Sequence, residues 1–307
     1  MICAYCGKES KRTKEHIISK GVLDLFPECC YTINGDGNST ERSRVYFAQP
    51  MVNDVCAECN NKKISYIDSY AKKFIEEYFI KEYKRDDSLE IKYEFSLIQK
   101  MLLKYAYNDL RANNKNIDFF TDEIKKYLMN ENLNEPLKNV SILGGLAVNT
   151  SPMPLWMKGN VKIEWGDSPL FVSDYIAHLD YATGEVIQKM EERKLKTIYT
   201  AYIFRFYTGQ FILICWDGKE EDIELDKQIV NSLYPYKELD NSGKSVLKRC
   251  TGYLNYHMLK VIDTITGLNF QDEMSLSDPS DKEYLQRLNK EWEKEEETLK
   301  IKYKKKK

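Results

Sequence analysis

The chain has 307 residues, 42% of them hydrophobic and 31% charged, with a formal net charge of −2. That length is ample for a sizeable core and predicts one large or two modest domains. The near-neutral balance excludes a global basic field, so any nucleic-acid surface must be local. No run of about 18 uninterrupted apolar residues occurs, so no membrane span is expected, and Met1–Cys6 lacks the basic and apolar regions of a secretory leader. Eight cysteines in such a chain point away from a disulfide framework and towards reduced, metal-bound thiols in a cytoplasmic protein.

Residues 1 to about 60 are irregular, with a turn or loop at Gly35-Asp36-Gly37-Asn38-Ser39 and a strand at Arg44–Ala48 leading to Pro50. A helix should begin near Asn60, a good N-cap residue. Ile64, Ile67, Ala71, Phe74 and Tyr78 then recur at spacings of three and four, one apolar stripe. Lys62, Lys63, Lys72 and Lys73 fall off that stripe. Lys84–Asp87 reads as a linker or tight turn. A second helix is predicted over roughly Glu94 to Ala112, with Phe95, Ile98, Leu102 and Tyr105 inward. A third spans Thr121 to Met129, capped by Thr121.

From about Val140 the period changes to two. Val161–Trp165, Phe171–Val172, Ile198–Phe206 and Phe211–Trp216 read as strands, and Tyr207-Thr208-Gly209-Gln210 would turn the last two into a hairpin. Val246–Ile262 reads as a helix weakened by Gly252. The tail from Asp281 is a charged helix, acidic first and basic last, which suits the helix dipole. The expected organisation is α+β: an N-terminal unit over 1–85, an α+β recognition, regulatory or oligomerisation region over 86–280 with a helical start, and a charged helical tail over 281–307.

Two Cys-x-x-Cys pairs, Cys3/Cys6 and Cys56/Cys59, can close a tetrahedral zinc site of four thiolates. The segment between them, Gly7 to Val55, is longer than in a simple zinc ribbon, so a substructure must be inserted. Four sulfur ligands leave no open position, so such a zinc is structural. The insertion carries Lys14-Glu15-His16-Ile17-Ile18, a short apolar run suited to a strand. Successive side chains of a strand face opposite sides, so Glu15 and His16 would diverge unless the pair lies at a strand end or bend. An unperturbed imidazole titrates near ~6.5, which suits His16 to accept a proton at neutral pH.

Cys3-x-x-Cys6, Glu15-His16-Ile17-Ile18 and Val55-Cys56-x-x-Cys59-Asn60 together resemble an HNH endonuclease of the ββα-metal class with a four-cysteine zinc staple, over roughly residues 1–75. The resemblance implies His16 as general base, Glu15 and Asn60 as ligands of one Mg²⁺ or Mn²⁺, and Cys3, Cys6, Cys56 and Cys59 as structural zinc ligands. Hard oxygen donors suit such a cation. Glu15 stands where Asp is commoner, and Asn60 stands where the name-giving pattern ends in His. Asn61 is an alternative to Asn60. The middle Asn of the pattern, which orients the His, has Asn53 as its candidate. Implied products carry 5′-phosphate and 3′-hydroxyl.

Lys14, Lys20, Lys62 and Lys63 are candidate backbone-phosphate contacts, together with Lys11, Arg12, Arg42 and Arg44. Arg111 could approach substrate from the second helix, although a structural ion pair explains it better. Cys29, Cys30, Cys215 and Cys250 read as buried or incidental. His178 and His257 lack partners, and Gly144–Gly145 reads as a strand bend. The expected activity is phosphodiester hydrolysis in DNA, and the resemblance extends to a role in phage defence or a mobile element. A homo-oligomer or a regulatory partner would engage the C-terminal region. The competing reading is a zinc-stabilised nucleic-acid-binding module without catalysis.

Overall fold

The computed structural model describes residues 1–25, 31–34, 44–47, 51–81, 83, 87–146, 170–174, 178–179, 186–187, 197–233 and 237–248. The expected loop at 35–39, linker at 84–86, strand at 161–165 and helical tail from 281 lie outside these residues. So do Cys29, Cys30, Arg42, Cys250 and His257. Arg44 and His178 lie in described strands without described side chains.

The chain is an α+β protein. Its N-terminal portion runs β1 (Thr13–His16), α1 (Lys20–Leu23), β2 (Tyr31–Asn34), β3 (Arg44–Phe47) and β4 (Met51–Val55). A π-helical turn, Cys59–Lys63, then leads into α2 (Ser65–Tyr78). Strands β1 and β4 pair antiparallel, and β2 pairs with β3. The β1–β4 register slips between Thr13↔Val55 and Glu15↔Val52, which marks a bulge on β4. The stripe read along α2 is the buried one: Ile64, Ile67 and Ala71 are fully enclosed, Phe74 nearly so, and Ile75 joins them. Asn60 does not cap this helix. Helical backbone already begins at Ala57, which puts Asn60 inside the turn and frees its side chain for another partner.

After β5 (Ser88–Lys92) comes α3 (Phe95–Ala112), then α4 (Asp122–Met129). Thr121 caps α4 as its sequence predicts, with Oγ1 accepting from the Ile124 amide at 3.5 Å. Helix α3 differs from the expected one-sided stripe. Ile98, Leu102 and Tyr105 are inward as anticipated, yet Gln99, Lys100, Lys104 and Asn108 are fully buried too. It packs against α2, α4 and β4, and Tyr105 meets Phe204 and Phe206 at 6.4 and 6.3 Å between ring centres.

The sheet comprises β6 (Val140–Leu146), β7 (Leu170–Asp174), β10 (Ile198–Phe206), β11 (Gly209–Trp216) and β12 (Lys237–Glu238), in the order β12-β6-β11-β10-β7, all antiparallel. A small ribbon of β8 (His178–Leu179) and β9 (Val186–Ile187) precedes β10. Gly144 and Gly145 continue through β6, where Leu247, Leu239 and Phe211 close around Gly144. The β10–β11 hairpin turns at Tyr207–Thr208, and its tip docks on the end of α2. A Cβ on Gly209 would sit 2.6 Å from the Phe79 ring, and Thr208 Oγ1 donates to the Phe79 carbonyl at 3.0 Å. Phe79 in turn lies 5.4 Å from the Phe211 ring. Helix α5 (Glu220–Leu233) is tied to the start of β10 by Asp226, which accepts from the Thr197 amide and hydroxyl at 2.9 and 2.7 Å.

The helix expected at Val246–Ile262 is corrected over its first residues. Lys244–Lys248 is a strand, β13, antiparallel to β5. Its burial alternates, with Ser245 and Leu247 inward and Val246 outward, a period of two that the two apolar residues Val246 and Leu247 do not distinguish from a helix. One continuous buried cluster runs from Cys3 to Leu247, so the cysteine-bearing segment, the helices and the sheet share a core.

Candidate functional site

The first cysteine pair sits on a tight turn. The Gly7 amide donates to the Cys3 carbonyl at 2.9 Å and the Cys3 amide to Lys8 at 3.0 Å. Gly7 has φ +68, a left-handed conformation that favours glycine. The Ala4 amide donates to Asp54 at 2.8 Å and docks this turn on β4, whose end delivers Cys56. The four sulfurs lie within 4.8 Å of one another, with Cys6 and Cys56 Sγ 3.9 Å apart. Zinc–sulfur bonds of ~2.3 Å in a tetrahedron imply sulfur spacings of about 3.8 Å, so this group can hold a metal ion such as zinc. Backbone amides of Cys56 and Cys59 donate to Cys3 and Cys56 Sγ, each at 3.4 Å. Burial opposes a thiolate on Cys3, yet the amides of Cys6, Cys56 and Tyr5 outweigh it and lower its thiol to about 7. Burial and the adjacent thiols push Cys59 the other way, well up.

Asn60 follows directly. Its amide nitrogen donates to Thr13 Oγ1 and to the Lys14 carbonyl, both at 3.0 Å. The carbonyl partner accepts only, which fixes the amide orientation and leaves Oδ1 facing away from these two bonds. Thr13 Oγ1 itself donates to Val55 at 2.8 Å. The bulge in β4 supplies the opening, since it interrupts the ladder beside Lys14. The structure thus places Asn60 against the residue that precedes Glu15–His16.

Glu15 and His16 diverge as strand residues must. Glu15 is buried and His16 is partly exposed on the other face. The Glu15 carboxylate is already engaged: Lys104 Nζ from α3 lies 2.7 Å from Oε1 and also pairs with Asp68 of α2. Lys104 is fully buried and Glu15 is 6% exposed at its side chain, whereas Asp68 is 26% exposed. Burial raises the Glu15 carboxyl above its ordinary value, the Lys104 charge pulls it down, and Asp68 adds to the rise.

The backbone of His16 is held from outside the N-terminal segment. Asn108 Nδ2 donates to the His16 carbonyl at 3.0 Å, while Asn108 Oδ1 accepts from Tyr5 Oη at 2.9 Å and from Arg111 Nη2 at 2.5 Å. Asn53, the sequence candidate for orienting His16, is exposed in the bulge of β4. Arg111 is the structural ion pair anticipated for it: it pairs with Asp54 and lies 4.4 Å from the Tyr107 ring centre. Among the phosphate-contact candidates, Lys20 pairs with Asp24 at 2.8 Å and Lys62 with Glu58 at 3.2 Å. Lys14 is exposed, and Lys63 lies at the edge of a cleft on the cysteine side. Cys215 is core, its thiol pushed up by burial.

Lys104, Asp68 and Asn108 are the residues that sequence reasoning missed. A signal existed: Lys100, Lys104, Asn108 and Arg111 recur at spacings of four, four and three, a polar line along one side of α3. Lys100 donates to the Asn130 carbonyl at 2.8 Å and lies 4.7 Å from the Tyr127 ring centre. Comparison with protein-family models, with curated proteins and with solved structures finds no match. Among the described residues, no helix is long and apolar enough to cross a membrane.

Proposed function

We propose that the chain is a metal-dependent endonuclease of the HNH, ββα-metal type that hydrolyses phosphodiester bonds in DNA. The observation that carries this reading is the docking of Asn60 onto β1 at Lys14, beside Glu15–His16, from a turn that begins in the second cysteine pair. The antiparallel β1–β4 pair followed by α2 supplies the matching strand–strand–helix order. The four cysteines would act as a structural zinc staple that holds the turn bearing Asn60 against the strand bearing Glu15 and His16.

His16 is the general base in this reading. Its side chain leaves β1 on the face opposite Glu15 and Asn108 fixes its carbonyl, and a ring nitrogen would take the proton of the water that attacks phosphorus. Asn60 Oδ1 and Glu15 would hold Mg²⁺ or Mn²⁺, which when bound supplies positive charge to a non-bridging oxygen and the leaving 3′-oxygen. Asn60 fits that task, since its amide nitrogen is spent on β1. Glu15 fits only through Oε2, because Oε1 faces Lys104. A homo-oligomer or regulatory partner acting through the sheet region, a cytoplasmic setting and a role in phage defence or a mobile element belong to the same reading.

The engagement of Glu15 by Lys104 favours a second reading, a zinc-stabilised nucleic-acid-binding module without catalysis. Nicking of supercoiled plasmid separates the two. The proposal expects nicking with Mg²⁺ or Mn²⁺, none in EDTA, and none in His16→Ala at unchanged zinc content and melting temperature. Full activity in His16→Ala sinks the mechanism, and no nicking under any metal by the wild type selects the second reading.

A further inference from the structure

An open cleft of about 870 Å³ lies on the cysteine side of the molecule, between the first cysteine turn, the π-helical turn and α3–α4. Neither Glu15, His16 nor Asn60 lines it, so it is separate from the β1 site. Six basic and two acidic side chains face it, in a chain whose overall charge is −2. Both acids are spent internally: Asp54 on Arg111, and Asp122 on Lys125 at 3.5 Å. Lys115 has a partner of its own, and the surplus is Lys8, Lys63 and Lys126, which come from three separate segments. Lys8, Lys115 and Lys126 are exposed and Lys63 is half-buried. Tyr5 and Tyr107 form part of the floor and are immobilised by the Arg111 guanidinium over their rings, at 5.3 and 4.4 Å.

We infer that this cleft binds the phosphodiester backbone of a nucleic acid. Lysines are compact, strongly hydrated charges on flexible stems, suited to neutralising successive phosphates without reading bases. Small-molecule pockets are mostly apolar with a few convergent polar groups, whereas this cleft is open and ringed by cations. The competing role for the lysines is to offset the cysteine site, since a zinc ion on four thiolates carries a net charge of −2. Three lysines outnumber that charge, and because Cys3 and Cys6 themselves line the cleft, zinc content is read alongside binding. The inference shares with the proposed function only the expectation of a nucleic-acid partner, and it stands whether or not the β1 site cleaves.

The test is fluorescence anisotropy of the full chain with a labelled 20-base-pair DNA duplex and with a single-stranded RNA of the same sequence, over a salt series without added divalent cation. The comparison is wild type, Lys8→Gln/Lys126→Gln, and a control pair outside the cleft, Lys73→Gln/Lys81→Gln, both exposed. Each neutralised phosphate contributes about 0.9 to the slope of log K against log salt on duplex. The cleft pair should lower the duplex slope by about 2 and the affinity by about tenfold or more, with zinc content unchanged. The control pair should leave both in place. The RNA arm tells whether duplex geometry is required. An unchanged slope in the cleft pair overturns the inference, as does an equal loss in the control pair. Loss of zinc in the cleft pair assigns the lysines to the cysteine site, and equal competition by poly-glutamate removes the preference for phosphate. Because no cleavage is read, a failed nicking assay leaves this result untouched.

Discussion

Lys104→Met probes the interaction on which both the fold and the β1 site depend. The substitution keeps the length of the side chain and removes its charge, which leaves Glu15 facing an apolar interior. Two opposite unit charges 2.7 Å apart interact by about 6 kcal/mol at an effective dielectric constant of about 20, and several kcal/mol of desolvation oppose that gain. Removing one partner of such a pair costs about 3–5 kcal/mol, because the remaining charge stays buried and uncompensated. Asp68, 26% exposed, regains part of its hydration and adds less. The loss should depend on pH in a defined direction. The Glu15 carboxyl already lies above its ordinary value through burial, and Lys104 is the main influence holding it down, so the variant raises it further. A carboxyl with a raised folded value binds its proton more tightly when folded. Its contribution is complete below the unfolded value of about 4.5 and is lost as pH rises through the folded value. The variant should therefore be most destabilised at pH 8 and recover towards pH 5. Urea denaturation at pH 5, 6.5 and 8 measures this, and Glu15→Gln/Lys104→Met should restore most of the loss at pH 8. A cost below about 1 kcal/mol that is flat across pH would mean that Glu15 keeps its water, and the buried pair would not be the reason for its position.

Three further outcomes follow from the same geometry. Gly209→Ala places a methyl 2.6 Å from the Phe79 ring, and the hairpin tip should shift at a cost of about 1–3 kcal/mol in urea denaturation. A melting temperature equal to wild type would contradict the contact. Cys56→Ser should lose stoichiometric zinc, measured by atomic emission, and should aggregate or unfold, because metal affinity at a four-thiolate site is also folding energy. A soluble, zinc-loaded variant would count against the staple. Burial lowers the Lys100 ammonium to about 8. A base with a depressed folded value destabilises below that value and the cost fades as pH rises towards the unfolded value of 10.5, so stability should climb by about 1 kcal/mol between pH 8 and 9.5. Lys100→Met should flatten that climb, and an unchanged slope would refute the assignment.

Much of the local structure was legible in the chain. The α2 stripe, the Thr121 cap and the β10–β11 hairpin are set by neighbours three or four residues apart, or by a two-residue turn, and these local interactions need no tertiary knowledge. The cysteine pairs were legible because their spacing is a property of short turns. Val246 shows where this fails: the apolar pair Val246–Leu247, flanked by polar residues, takes a period of two where it pairs with β5. Asn60 shows the same at a single residue, since helix propensity makes it a cap and only the bulge opposite Lys14 gives its amide a better partner.

The sequence by itself determined which side chains were available: four thiols in two pairs, and an acid and an imidazole on opposite faces of one strand. Tertiary structure alone decided what those side chains meet. Glu15 faces a lysine and His16 is held by an asparagine from a helix almost a hundred residues away, because α3 is enclosed on all sides and must place each of its polar groups against a partner. The demand that buried charge and buried amides be satisfied acts over contacts that no local pattern encodes. It therefore links α3 to the N-terminal strand only after the chain has folded.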